Sequence, residues 1–435
     1  DVKTRRAMAA SPCDPEPPHP VAFSPDGRRL LVEGFQRWVE YPLAGDDRAG
    51  VFEPGKGPNE VWILSAADRA AVSPDRTVIA RCTANDGTAA DYSIDLLDAN
   101  TGNLRGRIQL DALARRPAFG PGGRYLYALV GQRVRGWDLC TGQEVMSGDC
   151  PAGDVVTRLI VSPDGSRLAT ANLTFGDDPQ PESIRVWDAA TGKQLFAGAA
   201  ARRRTLIAFS PDGRLFAASI RPDRRTTSSG PRPDDPTDSE ELRVWDAATG
   251  EVRATFPGFG GQPAFSPDGR TLAVTQEDCV VLLELASGKP RHEFRHHGKV
   301  EPFLAWRADG RVLAAASPEA PVYLWDVVGD RTGTAAPWDT VQGDLRWTSL
   351  RADDPAQAFY ALRQLWSNPR EAVRFLKARV TAAADARLAA RACEGLEVVA
   401  TADAKDLLTA WSTGPADAPL TREAHDSLKR LAVRQ

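Results

Sequence analysis

The sequence predicts a mostly β protein followed by an α-helical region. Two observations lead to this prediction. A pair of short apolar segments joined by a Ser-Pro-Asp-Gly-type turn recurs seven times in the first three quarters of the chain. After Pro337 the period of the apolar residues changes from two, as in strands, to about 3.6, as in helices. With 435 residues, 42% of them hydrophobic and 26% charged, the chain is long enough to fold around substantial cores.

The turns of this first motif recur at a spacing that indicates one architecture. Their first residues are 41 to 56 residues apart, at Ser24, Ser73, Gly120, Ser162, Ser210, Ser266 and Arg307. This period is expected when each repeat forms a four-stranded blade of a β-propeller. We therefore assign the blade turns to Asp26, Gly27, Asp164, Gly165, Asp212, Gly213, Asp268, Gly269, Asp309 and Gly310.

A second motif follows each turn and is typical of a strand that ends in Trp-Asp before a Thr-Gly turn. The clear copies are RGWDLCTGQEV, IRVWDAATGKQLF and LRVWDAATGEVRATF, and the weaker copies are IDLLDANTG, VLLELASGKPRHEF and VYLWDVVGDRTG. The Gly permits a hairpin, and the large flat Trp ring can pack between neighbouring blades. The Trp-Asp pairs are Trp137 and Asp138, Trp187 and Asp188, Trp245 and Asp246, and Trp325 and Asp326.

These two motifs recur together over about residues 20–335 and resemble the WD40 repeat family. The resemblance implies a seven-bladed WD40-type β-propeller, followed here by a helical module like those found after WD40 repeats in many bacterial proteins. The Gly-His step that precedes each blade in that family is nearly absent, because only His296 or His297 stands near its place. We therefore expect packing, rather than the family's hydrogen-bond network, to hold the blades together.

The predicted organisation has three segments: an N-terminal segment at 1–19, the propeller at 20–337 and the α-helical domain at 338–435. The last blade needs an outer strand to close the propeller, because an open sheet edge invites pairing with other chains. By resemblance to the family, residues 1–11 are the favoured source of that strand, and residues 331–337 are the alternative.

Alternating strand direction places both kinds of tight turn on one face of the predicted disc. The remaining connections meet on the opposite face and vary in length, and the longest of them is 219–241. This long segment is either a partner-binding or modified segment, or an insertion that the fold tolerates. Variable loops on a rigid scaffold are common binding sites, so this face is the candidate partner surface. Its candidate residues are Arg202, Arg203, Arg204, His296 and His297, with a solvated charge run as the alternative for the three Arg residues.

The C-terminal region carries helix-start signals and apolar residues at helical spacing. Asp354-Pro355 and Asn368-Pro369 each combine a capping residue with proline at the first helical position. Thr421 is predicted to cap the last helix. Five or six short antiparallel helices are expected, as a small bundle or a stack resembling HEAT repeats. Such a stack either binds proteins or forms a cap packed on the propeller.

Composition and motifs exclude several other classes of protein. A net charge of −4 and a pI near 5.9 provide no basic field for nucleic acid, and no apolar run is long enough to span a bilayer. The chain lacks G-x-S-x-G, G-x-x-x-x-G-K-[ST] and H-E-x-x-H motifs, so we predict no catalytic, cofactor-binding or metal-binding residues. The cysteines form no C-x-x-C pair and are predicted to be thiols at Cys13, Cys82, Cys140, Cys150, Cys279 and Cys393.

The sequence therefore predicts a non-enzymatic scaffold that binds other proteins through a face of variable loops. The alternative is the sensory or regulatory half of a longer chain that also carries a kinase or transcription regulator. A propeller enzyme is a third hypothesis, which the Trp-Asp motifs disfavour. Because the chain begins at Asp1 rather than at a Met, the hypothesis that a leader or an upstream domain has been removed stays open. A cytoplasmic location is therefore an expectation from the sequence alone.

Overall fold

The structure is a computed structural model. Before residue 70 it describes strand backbone only. The described residues are 19–23, 29–33, 38–42, 50–52, 70–75, 77–84, 92–99, 101–151, 155–173, 184–198, 206–220, 240–296, 304–316, 322–328, 340–381 and 384–433.

Four antiparallel sheets occupy the first half of the chain, and each is a meander of four strands in sequence order. Sheet 1 contains β1 His19–Phe23, β2 Arg29–Glu33, β3 Trp38–Pro42 and β4 Gly50–Phe52. Sheet 2 contains β5 Ala70–Val72, β6 Val78–Ala84, β7 Tyr92–Asp98 and β8 Leu104–Leu110. Sheet 3 contains β9 Ala114–Phe119, β10 Tyr125–Val130, β11 Arg133–Asp138 and β12 Gln143–Asp149. Sheet 4 contains β13 Val155–Val161, β14 Arg167–Leu173, β15 Ile184–Asp188 and β16 Gln194–Gly198.

Three further sheets follow, and the last has three strands among the described residues. Sheet 5 contains β17 Ile207–Phe209, β18 Leu215–Ile220, β19 Glu241–Asp246 and β20 Val252–Pro257. Sheet 6 contains β21 Pro263–Phe265, β22 Thr271–Thr275, β23 Cys279–Glu284 and β24 Lys289–Arg295. Sheet 7 contains β25 Leu304–Trp306, β26 Val312–Ala316 and β27 Val322–Asp326. Both segments predicted to supply its outer strand, 1–11 and 331–337, lie outside the described residues.

The six helices of the described C-terminal residues are α1 Thr340–Arg351, α2 Pro355–Ser367, α3 Pro369–Arg379, α4 Ala386–Val399, α5 Ala402–Ser412 and α6 Pro419–Val433. The prediction of a mostly β chain with a helical C-terminal region is therefore confirmed. Asp354 caps α2 as predicted, because its carboxylate accepts a hydrogen bond from Ala356 N at 2.9 Å. The prediction for Thr421 is wrong: α6 begins earlier, at Pro419, and buries Thr421 in its first turn.

The chain divides into two compact units. The first unit contains residues 33–41 and 48–263, and therefore sheets 2 to 5. The second unit contains residues 1–32, 42–47 and 264–435. It therefore includes sheet 7, the helices, and all of sheet 6 except its first residue. In the second unit the core is continuous from Leu282, Phe294 and Trp325 of the sheets to Leu362 and Leu396 of the helices. None of the described helices is long and apolar enough to cross a membrane.

Candidate functional site

The two ends of the sheets differ in the lengths of their connections. Five residues separate the first and second strands of every sheet, and four to seven separate the third and fourth strands of sheets 1 to 6. We call this end of each sheet the constant edge. At the other end, two to twenty residues separate the second and third strands, and three to seventeen join one sheet to the next. We call this end the variable edge.

The constant edge is built by the predicted turn residues. In sheet 4, Ser162 Oγ donates to Asp164 Oδ1 at 2.6 Å and accepts from Arg167 N at 2.9 Å. Asp164 Oδ1 also accepts from Ser166 N at 3.1 Å, and Gly165 has a φ of +75°. These bonds satisfy the polar groups of a five-residue bend locally. Asp212, Asp268 and Asp309 accept corresponding backbone bonds, from Arg214, Arg270 and Arg311, whereas Asp26 and Gly27 lie outside the described residues.

The Trp-Asp residues belong to the same framework, with the Trp rings buried and Asp188, Asp246 and Asp326 half-buried. Trp137, Trp187, Trp245 and Trp325 are all less than 7% exposed. Trp187 packs with Tyr127 and Met146 of sheet 3, and its indole N–H donates to Thr170 Oγ1 at 3.1 Å. The aspartates accept from backbone N–H groups of the following turn, with distances of 2.8 to 3.1 Å for Asp138, Asp188, Asp246 and Asp326.

The candidate partner residues are only partly placed. Arg202, Arg203, Arg204 and His297 lie outside the described residues. His296 is 7% exposed, and its ring lies 5.6 Å from the ring of Tyr323 and 6.4 Å from that of Trp325. The expectation that His296 faces a partner is therefore wrong, because aromatic packing at the end of β24 buries its ring.

The most distinctive polar site joins sheet 6 to the helices through buried ion pairs. Arg391 of α4 binds Glu284 of β23 with two hydrogen bonds of 2.8 Å, and both side chains are less than 5% exposed. The same guanidinium donates to Leu350 O at 2.9 Å and Ala352 O at 2.8 Å, at the end of α1. This arrangement uses the planar fork of Arg to satisfy a buried carboxylate and two helix-end carbonyls together.

A second buried pair lies beside the first. Arg291 of β24 donates to Glu394 of α4 at 3.0 Å and to Thr271 at 2.8 Å. The Arg291 guanidinium also lies 4.5 Å from the ring centre of Phe359 in α2, within cation–π range. Burial raises the pKa of Glu394 above its ordinary value, although Arg291 opposes that shift.

The third contact starts from the constant edge of sheet 6. Arg270 directly follows the Asp268–Gly269 turn and donates to Glu397 at 2.9 Å, Glu423 at 3.0 Å and Ser427 at 2.8 Å. Burial disfavours its charge, yet Glu397, Asp268 and Glu423 together hold the pKa of Arg270 well above its usual value. Burial likewise opposes ionisation of Asp268, but Arg270 lowers the Asp268 pKa to about 2.

These three contacts form one group of buried charged side chains between sheet 6 and the helices. We call the following side chains the docking network: Arg270, Arg291, Arg391, Glu284, Glu394 and Glu397.

A small cavity of about 30 Å³ lies next to this network. Its walls include Asp268, Glu394, Glu397 and Trp366, and the buried indole N–H of Trp366 has no hydrogen-bond partner. The volume suits about two water molecules and is too small for an organic substrate. Among the described residues, no group of three His, Cys, Asp or Glu side chains is placed to hold a metal ion.

The sequence analysis did not identify the docking network, although two signals for it were present. Leu283-Glu284 replaces Trp-Asp in the second motif of sheet 6, so the carboxylate there is one methylene longer. In α4, Arg391, Glu394 and Glu397 recur at three-residue spacing on a helix otherwise rich in Ala and Leu. Both signals become meaningful only when β23 and α4 are known to be neighbours.

No family model and no curated protein matches the chain. Among solved structures, 1162 chains match. One of them is Kuenenia stuttgartiensis Hydrazine Synthase, with a TM-score of 0.52 and 16% sequence identity, over 71% of this chain and 95% of that chain. At this identity the similarity concerns the fold alone.

Proposed function

We propose that the seven sheets are the blades of a seven-bladed WD40-type β-propeller. Contacts between first strands support this arrangement, because β9 lies against both β5 and β13, and β25 lies against β1. The shared five-residue turns and the buried Trp side chains between sheets 3 and 4 and between sheets 4 and 5 support it as well. Each sheet then buries both faces against its neighbours, which a single small sheet cannot do alone.

We further propose that the protein is a non-enzymatic scaffold that binds other proteins through the variable edge. The observation that carries this proposal is the contrast between the two edges. The constant edge satisfies its own polar groups with Ser and Asp side chains, whereas the variable edge has connections of two to twenty residues. Differences between loops on a repeated framework provide the surface variety that recognition needs.

The position of the helices agrees with this assignment. Arg270, at the constant edge of sheet 6, is 8% exposed because α4 and α6 cover it. The helices therefore occupy constant-edge surface of their own unit and leave the variable edge of sheet 6 uncovered at Glu277 and Asp278, which are exposed. This favours the cap among the two roles predicted for the helical module.

Site-specific photo-crosslinking tests the scaffold proposal. A benzophenone amino acid replaces Gln132 or Glu277 at the variable edge, and Lys193 at the constant edge serves as the matched control; all three are exposed. After irradiation in native extract, we expect defined protein adducts from the variable-edge positions and none from Lys193. Adducts from Lys193 alone, or strong thermal stabilisation by a small metabolite without any protein adduct, would contradict the proposal.

A further inference from the structure

We propose that the exposed faces of α1 and α3 form a second interaction surface, which binds an acidic segment of a partner protein that also carries a large apolar side chain. This inference goes beyond the proposed scaffold function, because the surface lies on the helical module and not at the variable edge of a sheet. α4 and α6 cover the constant edge of sheet 6, whereas α1 and α3 keep exposed faces. Both helices belong to the second compact unit.

α1 exposes large apolar side chains. Val341 is 69% exposed and Leu345 is 64% exposed, and together with Tyr360 they are the most exposed large hydrophobic side chains that the structure describes. Because Val341 and Leu345 are four residues apart, they are neighbours on one face of the helix. Exposed apolar side chains that are grouped in this way indicate contact with another molecule, whereas single ones do not. This face of α1 provides the apolar part of the surface.

Two aromatic rings connect α1 to α3 beside this apolar face. The ring centres of Trp347 in α1 and Phe375 in α3 are 6.1 Å apart, in an edge-to-face arrangement, and both side chains are half-buried. A Cβ at Gly343 would lie 3.9 Å from Phe375 Cε2, so this side chain of α3 reaches the α1 backbone. Asp344 is three residues from both Val341 and Trp347, so the rings and the apolar face are adjacent on the helix surface.

Guanidinium groups flank these rings. Arg351 lies 5.8 Å and Arg379 lies 6.0 Å from the ring centre of Trp347, and Arg379 also lies 5.1 Å from the ring centre of Phe375. All three distances are within cation–π range. Trp and Arg are the residue types that most often provide the binding energy of protein interfaces, and here they are presented together.

The charges of α1 and α3 are unbalanced. The two helices contain six basic and two acidic residues, whereas the whole chain has a net charge of −4. Both acidic residues are already paired, Asp344 with Arg379 at 2.5 Å and Glu371 with Arg374 at 3.3 Å. Three exposed basic residues have no ion-pair partner among the residues that the structure describes: Arg351, Arg370 and Lys377.

The acidic residues that follow α1 are engaged in other contacts. Asp353 binds Arg387 of α4 at 2.7 Å, and Asp354 accepts a hydrogen bond from Ala356 N as the cap of α2. The excess positive charge of the surface is therefore available to a partner.

The apolar and the charged parts together select the partner. Guanidinium groups bind carboxylates with parallel hydrogen bonds, so the cations favour an acidic ligand. A bare anion pairs with the cations but leaves Val341 and Leu345 in water. A wholly apolar partner covers those two residues but removes Arg351 from water without a counter-charge, which costs free energy. An acidic protein segment with a large apolar side chain satisfies both parts.

Peptide binding to the full chain tests this assignment. The probe is a fluorescein-labelled peptide built from Glu, Leu and Ala, and fluorescence anisotropy measures its affinity. One matched peptide has Gln in place of every Glu, and another has Ala in place of every Leu. We expect each matched peptide to bind about tenfold more weakly than the probe, which corresponds to about 1.4 kcal/mol. Equal binding of the probe and both matched peptides would overturn the assignment.

Substitutions on the surface test its two parts separately. Arg351→Glu reverses an unpaired charge and Leu345→Gln removes an exposed apolar side chain, and each is expected to weaken binding of the probe about tenfold. The matched controls are Arg422→Glu, at an exposed position of α6, and Leu104→Gln, at a 54% exposed position of sheet 2. Both controls should leave binding unchanged. A control that loses as much affinity as its matched variant would contradict a specific surface.

Two further measurements separate binding from folding and from charge alone. Because Leu345 and Arg351 are exposed, we expect their variants to keep the Tm of the parent chain while binding falls. A fall in Tm that accompanies the loss of binding in both variants would overturn the surface and indicate a structural role. Displacement of the probe by a DNA duplex, at equal strength in the parent chain and in Leu345→Gln, would also overturn it and indicate a general anion site.

Photo-crosslinking at the variable edge has an independent outcome. Adducts at Gln132 or Glu277 without binding of the probe would refute the surface on α1 and α3 and leave the scaffold proposal standing. Binding of the probe that depends on Arg351 and Leu345, without adducts at the variable edge, would support the surface and refute the scaffold proposal.

Discussion

Two turns with nearly the same sequence have different environments in this protein. AFSPDGRLF of sheet 5 and AFSPDGRTL of sheet 6 form the same bend, with Ser210 Oγ accepting from Leu215 N at 2.8 Å and Ser266 Oγ from Thr271 N at 3.0 Å. Arg214 has a side chain that is 68% exposed, with the nearest Asp212 oxygen 3.8 Å away. Arg270 is 8% exposed and binds Glu397 and Glu423. Local sequence therefore determines the bend, and the neighbouring helices determine what the following Arg does.

The second motif shows the same contrast. Asp246 of sheet 5 accepts hydrogen bonds from Ala248 N and Thr249 N in its own turn, at 3.0 Å each. Glu284 occupies the corresponding place in sheet 6 and reaches Arg391 in α4. This carboxylate, one methylene longer than that of Asp246, binds another element with two hydrogen bonds. Repeats that are equivalent in sequence can thus be specialised by one or two substitutions, provided that a partner element is present.

The largest effect is expected from Arg391→Ala. Removing this side chain leaves Glu284 buried without its cation, and breaking a buried pair costs about 3–5 kcal/mol. Arg387→Ala, in the same helix, removes a partly exposed pair with Asp353 and is expected to change the free energy of unfolding by at most about 0.5 kcal/mol. Urea denaturation followed by circular dichroism measures both. Equal losses would show that the docking network contributes no more than surface pairs.

Arg270→Ala and Arg214→Ala test the comparison of the two turns directly. We expect a loss of about 2 kcal/mol for Arg270→Ala, because Glu423 and Ser427 lose their donor while Glu397 keeps only Arg430, at 3.0 Å. For the exposed Arg214, a loss of about 0.5 kcal/mol or less is expected. The measurement is again the free energy of unfolding in urea. A similar small loss at both positions would mean that the helices do not depend on the turn of sheet 6.

Glu284→Asp tests the role of the extra methylene. The shorter carboxylate no longer reaches Arg391 with two bonds, and we expect a loss of about 2 kcal/mol from the partly unpaired buried charges. Glu251→Asp, in the exposed turn of sheet 5, is the control and should lie within about 0.5 kcal/mol of the parent chain. If Glu284→Asp has full stability, the length of this side chain is not what places it on Arg391.

The smallest effect is a pH dependence that arises from Glu394. Its pKa is raised in the folded protein, so above the ordinary glutamate pKa the folded state holds a proton that the unfolded state has lost. This contribution to stability is present at low pH and disappears as the pH rises through the raised pKa. The free energy of unfolding then changes by at most about 1.4 kcal/mol per pH unit.

Asp268 has the opposite effect. Its pKa is about 2 in the folded protein, so it contributes stability above the ordinary aspartate pKa, and this stability is lost on acidification toward pH 2.

Glu394→Gln is the variant that separates these two slopes. Gln stays neutral and still accepts a hydrogen bond from Arg291, so the decline toward higher pH should flatten while the acid-side decline from Asp268 is kept. Thermal unfolding between pH 3 and pH 8 provides the curves. An unchanged decline in Glu394→Gln would assign that slope to another group.

The sequence predicted the repeated elements well because their causes are local. The seven turn motifs start directly after the first strand of each sheet, and in sheets 4, 5 and 6 Ser, Asp and Gly satisfy the bend within five residues. The helix start at Asp354 is local for the same reason. The prediction failed at His296, whose burial depends on Tyr323 and Trp325 of another sheet. It also failed for the start of α6, because Pro419 fits the first turn of a helix as well as Thr421 fits a cap.

The sequence by itself therefore determined the hairpins, their seven recurrences and the change to helices, because turn chemistry and hydrophobic period act over a few residues. Only the tertiary structure decided which of the equivalent repeats is specialised. Arg270 and Glu397 are 127 residues apart in the chain and meet at 2.9 Å. Burial and long-range pairing of this kind depend on which sheet or helix lies next to each residue, and no local pattern contains that information.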